Sequence, residues 1–142
     1  MITPRLIVLL VLALTLPRIG TACTCASLVP GQEDLKTQAD LRASDIVFRG
    51  ELIAHRPGMA IFRVREEWKG NLGNKVTLEW RRGDRGDCNG FWPGDLKVGN
   101  DLLVFARKGQ DGVYRTSICL PTMLASTAQR LLRELGPGKT KP

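Results

Sequence analysis

Apolar positions change their spacing several times along the 142 residues, and each change predicts an element. The run Leu6 to Leu16 is eleven residues long and free of charge, well short of the about 20 apolar residues that cross a bilayer. Between Glu33 and Ala43, the apolar residues Leu35, Ala39, Leu41 and Ala43 are interspersed with charged ones, which predicts a short helix. Asp45 to Ala54 is a β-rich stretch in which Gly50 marks a bulge or bend. Pro57-Gly58 predicts a turn and Met59 to Arg65 a second strand. After a Gly/Asn-rich turn over Lys69 to Asn74, the segment Lys75 to Trp80 alternates with period two, so Val76, Leu78 and Trp80 share one face. Arg81 to Asn89 is a charged, Gly-rich loop. Leu102 to Ala106 and Val113 to Ile118 supply two more strands, joined by a hairpin turn at Gln110-Asp111-Gly112. Leu124, Ala128, Leu131, Leu132 and Leu135 then recur at helical spacing, and Gly136-Pro137 ends that helix.

Five strands with one helix near each end predict a mainly β fold, a small OB-fold-like five-stranded barrel with flanking helices. Trp68, Phe91 and Trp92 read as core or packing residues. No repeat or internal linker divides the chain. Its 43% hydrophobic and 25% charged residues are near the globular average, which excludes long disorder, collagen and a multi-span membrane protein.

The start of the chain changes the meaning of the rest. Arg5 precedes the apolar run, and Gly20-Thr21-Ala22 places small residues before Cys23 as a signal peptidase site requires. Residues 1–22 are therefore expected to be a secretory signal, residues 23–136 the domain and residues 137–142 a flexible tail. An uncleaved anchor is one alternative. Lipidation of Cys23 is another, although Gly20 stands where such sites usually carry Leu. Loss of Arg5 and Arg18 lowers the formal net charge from +7 to +5, so a basic balance no longer argues for nucleic acid. The expected location is the periplasm or the extracellular space.

An oxidising compartment turns four cysteines into a disulfide framework. Cys23 with Cys25 would close a strained ring, so each is expected to pair with Cys88 or Cys119, and spacing leaves both arrangements open. Each bridge closes a loop of about 60 to 95 residues, worth roughly 4 kcal/mol in the chain-entropy account. A four-cysteine zinc site needs closely paired ligands, whereas Cys88 and Cys119 stand alone, so no intrinsic metal or cofactor is expected.

Other motifs carry little. Arg85-Gly86-Asp87 is a polar tripeptide in a polar loop. Gly138-Lys139-Thr140 resembles the end of a P-loop, but Arg133 stands where Gly is required. His55 reads as an exposed, turn-adjacent residue. Trp80-Arg81-Arg82 with Phe48 and Phe62 would make an aromatic and basic nucleic-acid surface, but core aromatics beside a solvated loop is the preferred reading.

The chain resembles the netrin-like domain of the tissue inhibitor of metalloproteinases (TIMP) superfamily, in the form of its single-domain secreted bacterial relatives. The matching residues are Cys23-Thr24-Cys25 at the mature start, Ala43 to Gly50, Val64 with Trp68-Lys69-Gly70, Cys88 before Phe91, Leu102 to Ala106, and Cys119. They span about residues 23 to 135. No cysteine follows C-x-C at the place of the third one in animal inhibitors, and a single domain without their C-terminal cysteine-rich domain is expected.

The resemblance implies a non-enzymatic inhibitor of a zinc metalloprotease. It selects the pairs Cys23 with Cys88 and Cys25 with Cys119. The α-amino and carbonyl groups of Cys23 would chelate the protease zinc, and Thr24 would enter the specificity pocket. The alternative function is an envelope protein- or glycan-binding module that does not touch zinc. A thiol oxidoreductase using Cys23 and Cys25 is a third class, without the C-x-x-C near a βαβ unit that such enzymes show.

Overall fold

Two strands are buried on both faces, and that double burial sets the architecture. The computed structural model describes residue 25, residues 29–80, residue 88, residues 90–91 and residues 94–142. Its elements are α1 (Glu33–Ala43), β1 (Ile46–Arg56), β2 (Met59–Lys69), β3 (Lys75–Glu79), β4 (Asp101–Lys108), β5 (Tyr114–Arg115), β6 (Met123–Leu124), α2 (Gln129–Leu135) and β7 (Lys139–Thr140). The expected signal segment, the Arg81 to Asp87 loop, Asn89 and Trp92 lie outside the described residues.

Strands pair in the order β1-β2-β3-β5-β4, and β4 returns to β1 with Ile46 opposite Ala106 and Glu51 opposite Asp101. The circuit closes a five-stranded barrel in which β3 and β5 are parallel and the other neighbours antiparallel. The fold is thus mainly β, an OB-like barrel with one helix towards each end of the chain. Alternation sorts the side chains. Ile46, Phe48, Leu52, Leu102, Val104 and Ala106 point into the barrel with Phe62, Val76 and Leu78. Val47, Leu103 and Phe105 point outward and are covered by Leu120, Ala128 and Leu131 of the C-terminal segment. Phe48 and Phe62 meet edge to face at 5.6 Å inside the barrel, which removes them from any nucleic-acid surface.

Gly50 lets β1 bend. The β1–β2 register shifts between Arg49 and Gly50, and a Cβ at Gly50 would stand 2.7 Å from the Arg63 carbonyl oxygen and 3.1 Å from the Phe48 ring. Only a residue without a side chain admits the β2 backbone there.

Helix α1 has the expected bounds, but its packing is polar: Thr37 is buried while Leu35 is exposed. The Thr37 hydroxyl donates to Glu134 Oε2 at 2.5 Å, tying α1 to α2. Burial alone would raise the Glu134 carboxyl, but hydrogen bonds from Thr37 and Arg130 outweigh it and hold the group below the usual carboxylate range.

Three expectations change. The strand expected over Val113 to Ile118 is a strand only at Tyr114–Arg115; beyond it Thr116 is buried, Ser117 forms an isolated bridge and the Ile118 N–H donates to the Cys88 carbonyl at 2.9 Å. Leu124 belongs to β6, opposite Leu102, so its spacing to Ala128 spans a turn, and α2 begins only at Gln129. Residues 137–142, expected as a free tail, carry β7 against β2, with Glu66 opposite Thr140 and Glu67 opposite Lys139. Hydrogen bonds hold that segment and the residue before it: Trp68 Nε1 donates to the Gly136 carbonyl at 2.7 Å, Gly138 N–H to Glu66 Oε1 at 2.8 Å, Lys141 N–H to the Arg65 carbonyl at 2.9 Å and Lys141 Nζ to the Leu72 carbonyl at 2.7 Å. Lys141 also lies 3.2 Å from the buried Glu67 carboxylate.

The Gly50 contact makes a direct prediction. Gly50→Ala should destabilise the protein by about 1–3 kcal/mol, the usual cost of overpacking, measured as a shift in the urea unfolding midpoint. An unchanged midpoint would mean that β2 yields freely there.

Candidate functional site

Cysteine chemistry converges at one end of the barrel. Cys25 is bonded to Cys119 across 94 residues of sequence, with a Cα–Cα distance of 5.0 Å. Of the two pairings that spacing allows for Cys25, this is the one the family resemblance selects. Cys88 is also disulfide-bonded. Its segment lies directly against that of Cys119: the Ile118 N–H donates to the Cys88 carbonyl at 2.9 Å and the Gly90 N–H to the Thr116 carbonyl at 3.0 Å. The two cysteines, 31 positions apart in sequence, therefore stand on hydrogen-bonded neighbours. Cys23 and Thr24 lie outside the described residues.

Each of the two segments has its own anchor in the core. Phe91, three residues after Cys88, is 6% exposed and packs in the barrel interior against Phe62, with ring centroids 5.8 Å apart. Cys119 sits in a tight loop between two buried threonines, Thr116 and Thr122. Thr116 Oγ1 donates to the Phe105 carbonyl at 2.8 Å, Thr122 Oγ1 accepts the Phe105 N–H at 3.0 Å, and the hydroxyls are 2.9 Å apart. Each hydroxyl has a single proton. With Thr116 donating to the carbonyl and Thr122 donating to Thr116, the three bonds close a ring around the backbone of Phe105. Both ends of the Cys119 loop are thereby fastened to β4. Ser117 Oγ accepts the Cys119 N–H at 3.2 Å and Leu120 N–H donates to the Ser117 carbonyl at 2.9 Å, which completes the turn.

Beside this loop is a cleft of about 440 Å³ between α1, the end of β4 and the start of the Cys119 loop. Lys36, Asp40, Arg107, Lys108 and Arg115 supply its charges, and Leu120 its apolar floor. Lys36 and Asp40 are paired at 2.5 Å. Arg115 is clamped by both oxygens of Asp111, at 2.9 and 2.5 Å, and by Glu79. The Arg115 hydrogen bonds, helped by the Val113 N–H, hold the Asp111 carboxyl down to about 2, from an ordinary 3.8. Since the folded value is the lower one, this clamp stabilises fully above pH 3.8 and is lost as pH falls towards about 2.

His55 is exposed and meets Trp80 edge to face at 4.7 Å. Among the described residues, no three or more His, Cys, Asp and Glu side chains converge on a metal site. Nor is any described helix long and apolar enough to cross a membrane. The residues that sequence reasoning missed are Thr116 and Thr122. Their signal was present as two β-branched hydroxyls flanking a lone cysteine, but nothing in the pattern pointed to their shared partner, Phe105. No family model and no curated protein matches the chain.

Thr122→Val keeps the shape of the side chain and removes the acceptor of a buried N–H. It should cost about 1–3 kcal/mol by denaturant unfolding and speed reduction of the Cys25–Cys119 bridge by dithiothreitol. Wild-type values for both would show that the hydroxyl ring does not hold the loop.

Proposed function

We propose that this chain is a secreted TIMP-like inhibitor of zinc metalloendopeptidases, acting through the amine and carbonyl of Cys23 after cleavage behind Ala22. The observation that supports the reading best is the Cys25–Cys119 bridge on a loop hydrogen-bonded to Cys88. An inhibitor that uses its first residue as a warhead needs a rigid start, whereas chain termini normally fray. A residue two positions beyond the warhead, covalently fixed to the core, supplies that rigidity and lowers the ordering cost of binding. Pairing of Cys23 with Cys88 belongs to the same proposal and would fix the warhead itself.

The chemistry follows from the zinc. A catalytic zinc keeps one position open for water or substrate. An α-amine with an ordinary pKa of about 7.7–8.0 loses its proton to solvent near neutral pH as zinc takes the nitrogen lone pair. The amine nitrogen and carbonyl oxygen of one residue then close a five-membered chelate and displace the water. In this reading Thr24 enters the pocket beside the zinc, and the chain performs no catalysis.

Adding one alanine before Cys23 tests the mechanism, because it preserves the bridges and barrel and converts the amine into a poorly coordinating peptide nitrogen. Inhibition of a zinc protease from the same environment should collapse while the melting temperature stays within about 2 °C. Thr24→Gly should weaken inhibition more modestly. Equal inhibition by native and extended proteins would refute zinc chelation. Absence of binding by either would favour an envelope module that recognises protein or glycan through its loops.

A further inference from the structure

We infer that the outer edge of β2 is a recognition site for an extended segment of the form Gly-x-x-Lys, filled in cis by the chain's own residues 138–141 and open to the same segment of a second copy. β3 pairs with β2 only over Met59 to Arg63, so β3 leaves the outer edge of β2 uncovered from Arg65 to Lys69. An open strand edge is a template for a further strand. β7 takes that place, with Glu66 opposite Thr140, Glu67 opposite Lys139, and the Lys141 N–H donating to the Arg65 carbonyl at 2.9 Å. Two features of the seat choose its occupant. The Gly138 N–H donates to Glu66 Oε1 at 2.8 Å, and a Cβ there would stand 2.7 Å from Glu66 Cγ and 3.0 Å from both the Glu67 carbonyl oxygen and the Trp68 ring, so the segment must begin with glycine. Three residues on, the Lys141 ammonium reaches the Leu72 carbonyl at 2.7 Å and Glu67 Oε2 at 3.2 Å, the two side chains being 10% and 6% exposed. The barrel builds this seat without help from the tail: Glu67 Oε2 also accepts the Leu72 N–H at 2.8 Å, and Leu72 is buried in the barrel core. Among the described residues, Lys141 is the cation paired with that carboxylate. Without it a buried negative charge would lack its counterion, which is costly, so the seat selects lysine. Lys139 and Thr140, between the two anchors, are exposed and leave those positions unrestricted.

The segment is carried by one element and seated on another. α2 ends at Leu135, Gly136 has a φ of +69° and Pro137 is exposed, while residues 138–141 bond to β2 and to the turn after it. Nothing in that bonding requires the segment to come from the same chain. A segment on a short tether has an effective concentration in the millimolar range, so the cis tail wins in an isolated chain, and a free segment binds once the cis contacts are weakened. Recognition of this kind makes no demand on the Cys23 amine and stands whether or not the chain chelates zinc.

Fluorescence anisotropy of a fluorescein-labelled peptide with the sequence of Gly136 to Pro142, titrated with the full-length, disulfide-intact protein, tests the assignment. Lys141→Ala in the protein weakens the cis tail and leaves Glu67 without its cation. This variant should bind the peptide at least about tenfold more tightly than the wild type does, and at least about tenfold more tightly than it binds the same peptide carrying Lys141→Ala. Peptide and protein are both positively charged, so general electrostatics would favour the alanine peptide instead. Adding Glu67→Gln to the protein should erase the preference for lysine. Gly138→Val breaks the close approach rather than the ion pair, and serves as the acceptor if the urea midpoint shows that Lys141→Ala unfolds. Equal affinity for the two peptides, equal binding by wild type and variant, or no binding by either acceptor overturns the proposal and makes β7 a strap that works only within one chain.

Discussion

The placement of Cys25 depends on the ring of hydrogen bonds between Thr116, Thr122 and the backbone of Phe105. Phe105 lies on β4, one of the two strands buried on both faces, so its N–H and carbonyl belong to the packed core. Two hydroxyls take both groups and fasten both ends of the loop that bears Cys119. Through the disulfide, that rigidity passes to Cys25. Without the ring, a buried N–H and carbonyl would lack partners and the bridge would join Cys25 to a loose loop.

The double burial of β1 and β4 is equally necessary. An OB-like barrel of this size has room inside for one layer of side chains, here built on Phe48, Phe62 and Phe91. The second layer, outside Val47, Leu103 and Phe105, requires helices and the C-terminal segment as cover. That cover passes directly from the Cys119 loop into β6 and α2, so the anchor of Cys25 and the outer core are one continuous piece of chain. Phe91 plays the corresponding part for Cys88 from inside the barrel.

Much of this was legible in the sequence, for identifiable reasons. Period-two alternation at Val76 and Leu78, the turn at Pro57-Gly58, the bend at Gly50 and the helix over Glu33–Ala43 are local features, and the structure has them where local chemistry puts them. The misreadings share a different cause. Leu124 fits a helical period but pairs with Leu102. Val113 to Ile118 reads as a strand but is diverted after Arg115 by Thr116 and by Cys88. Residues 137–142 read as a tail but pair with β2. In each case a partner distant in sequence overrides a sound local signal. The candidate site divides the same way: lone cysteines announce themselves, whereas the threonines that hold Cys119 acquire meaning only from Phe105 opposite them.

The account rests on a chain that starts at Cys23 and is held by two bridges at the same end of the barrel. Intact-mass spectrometry of the protein purified from its own source, combined with non-reducing peptide mapping, measures both conditions on one sample. The account predicts a free amine on Cys23, no lipid, four fewer hydrogens than the reduced chain, and linked peptides joining Cys23 to Cys88 and Cys25 to Cys119. A diacylglyceryl mass on Cys23, a start at another residue, or a free thiol at Cys88 would contradict it.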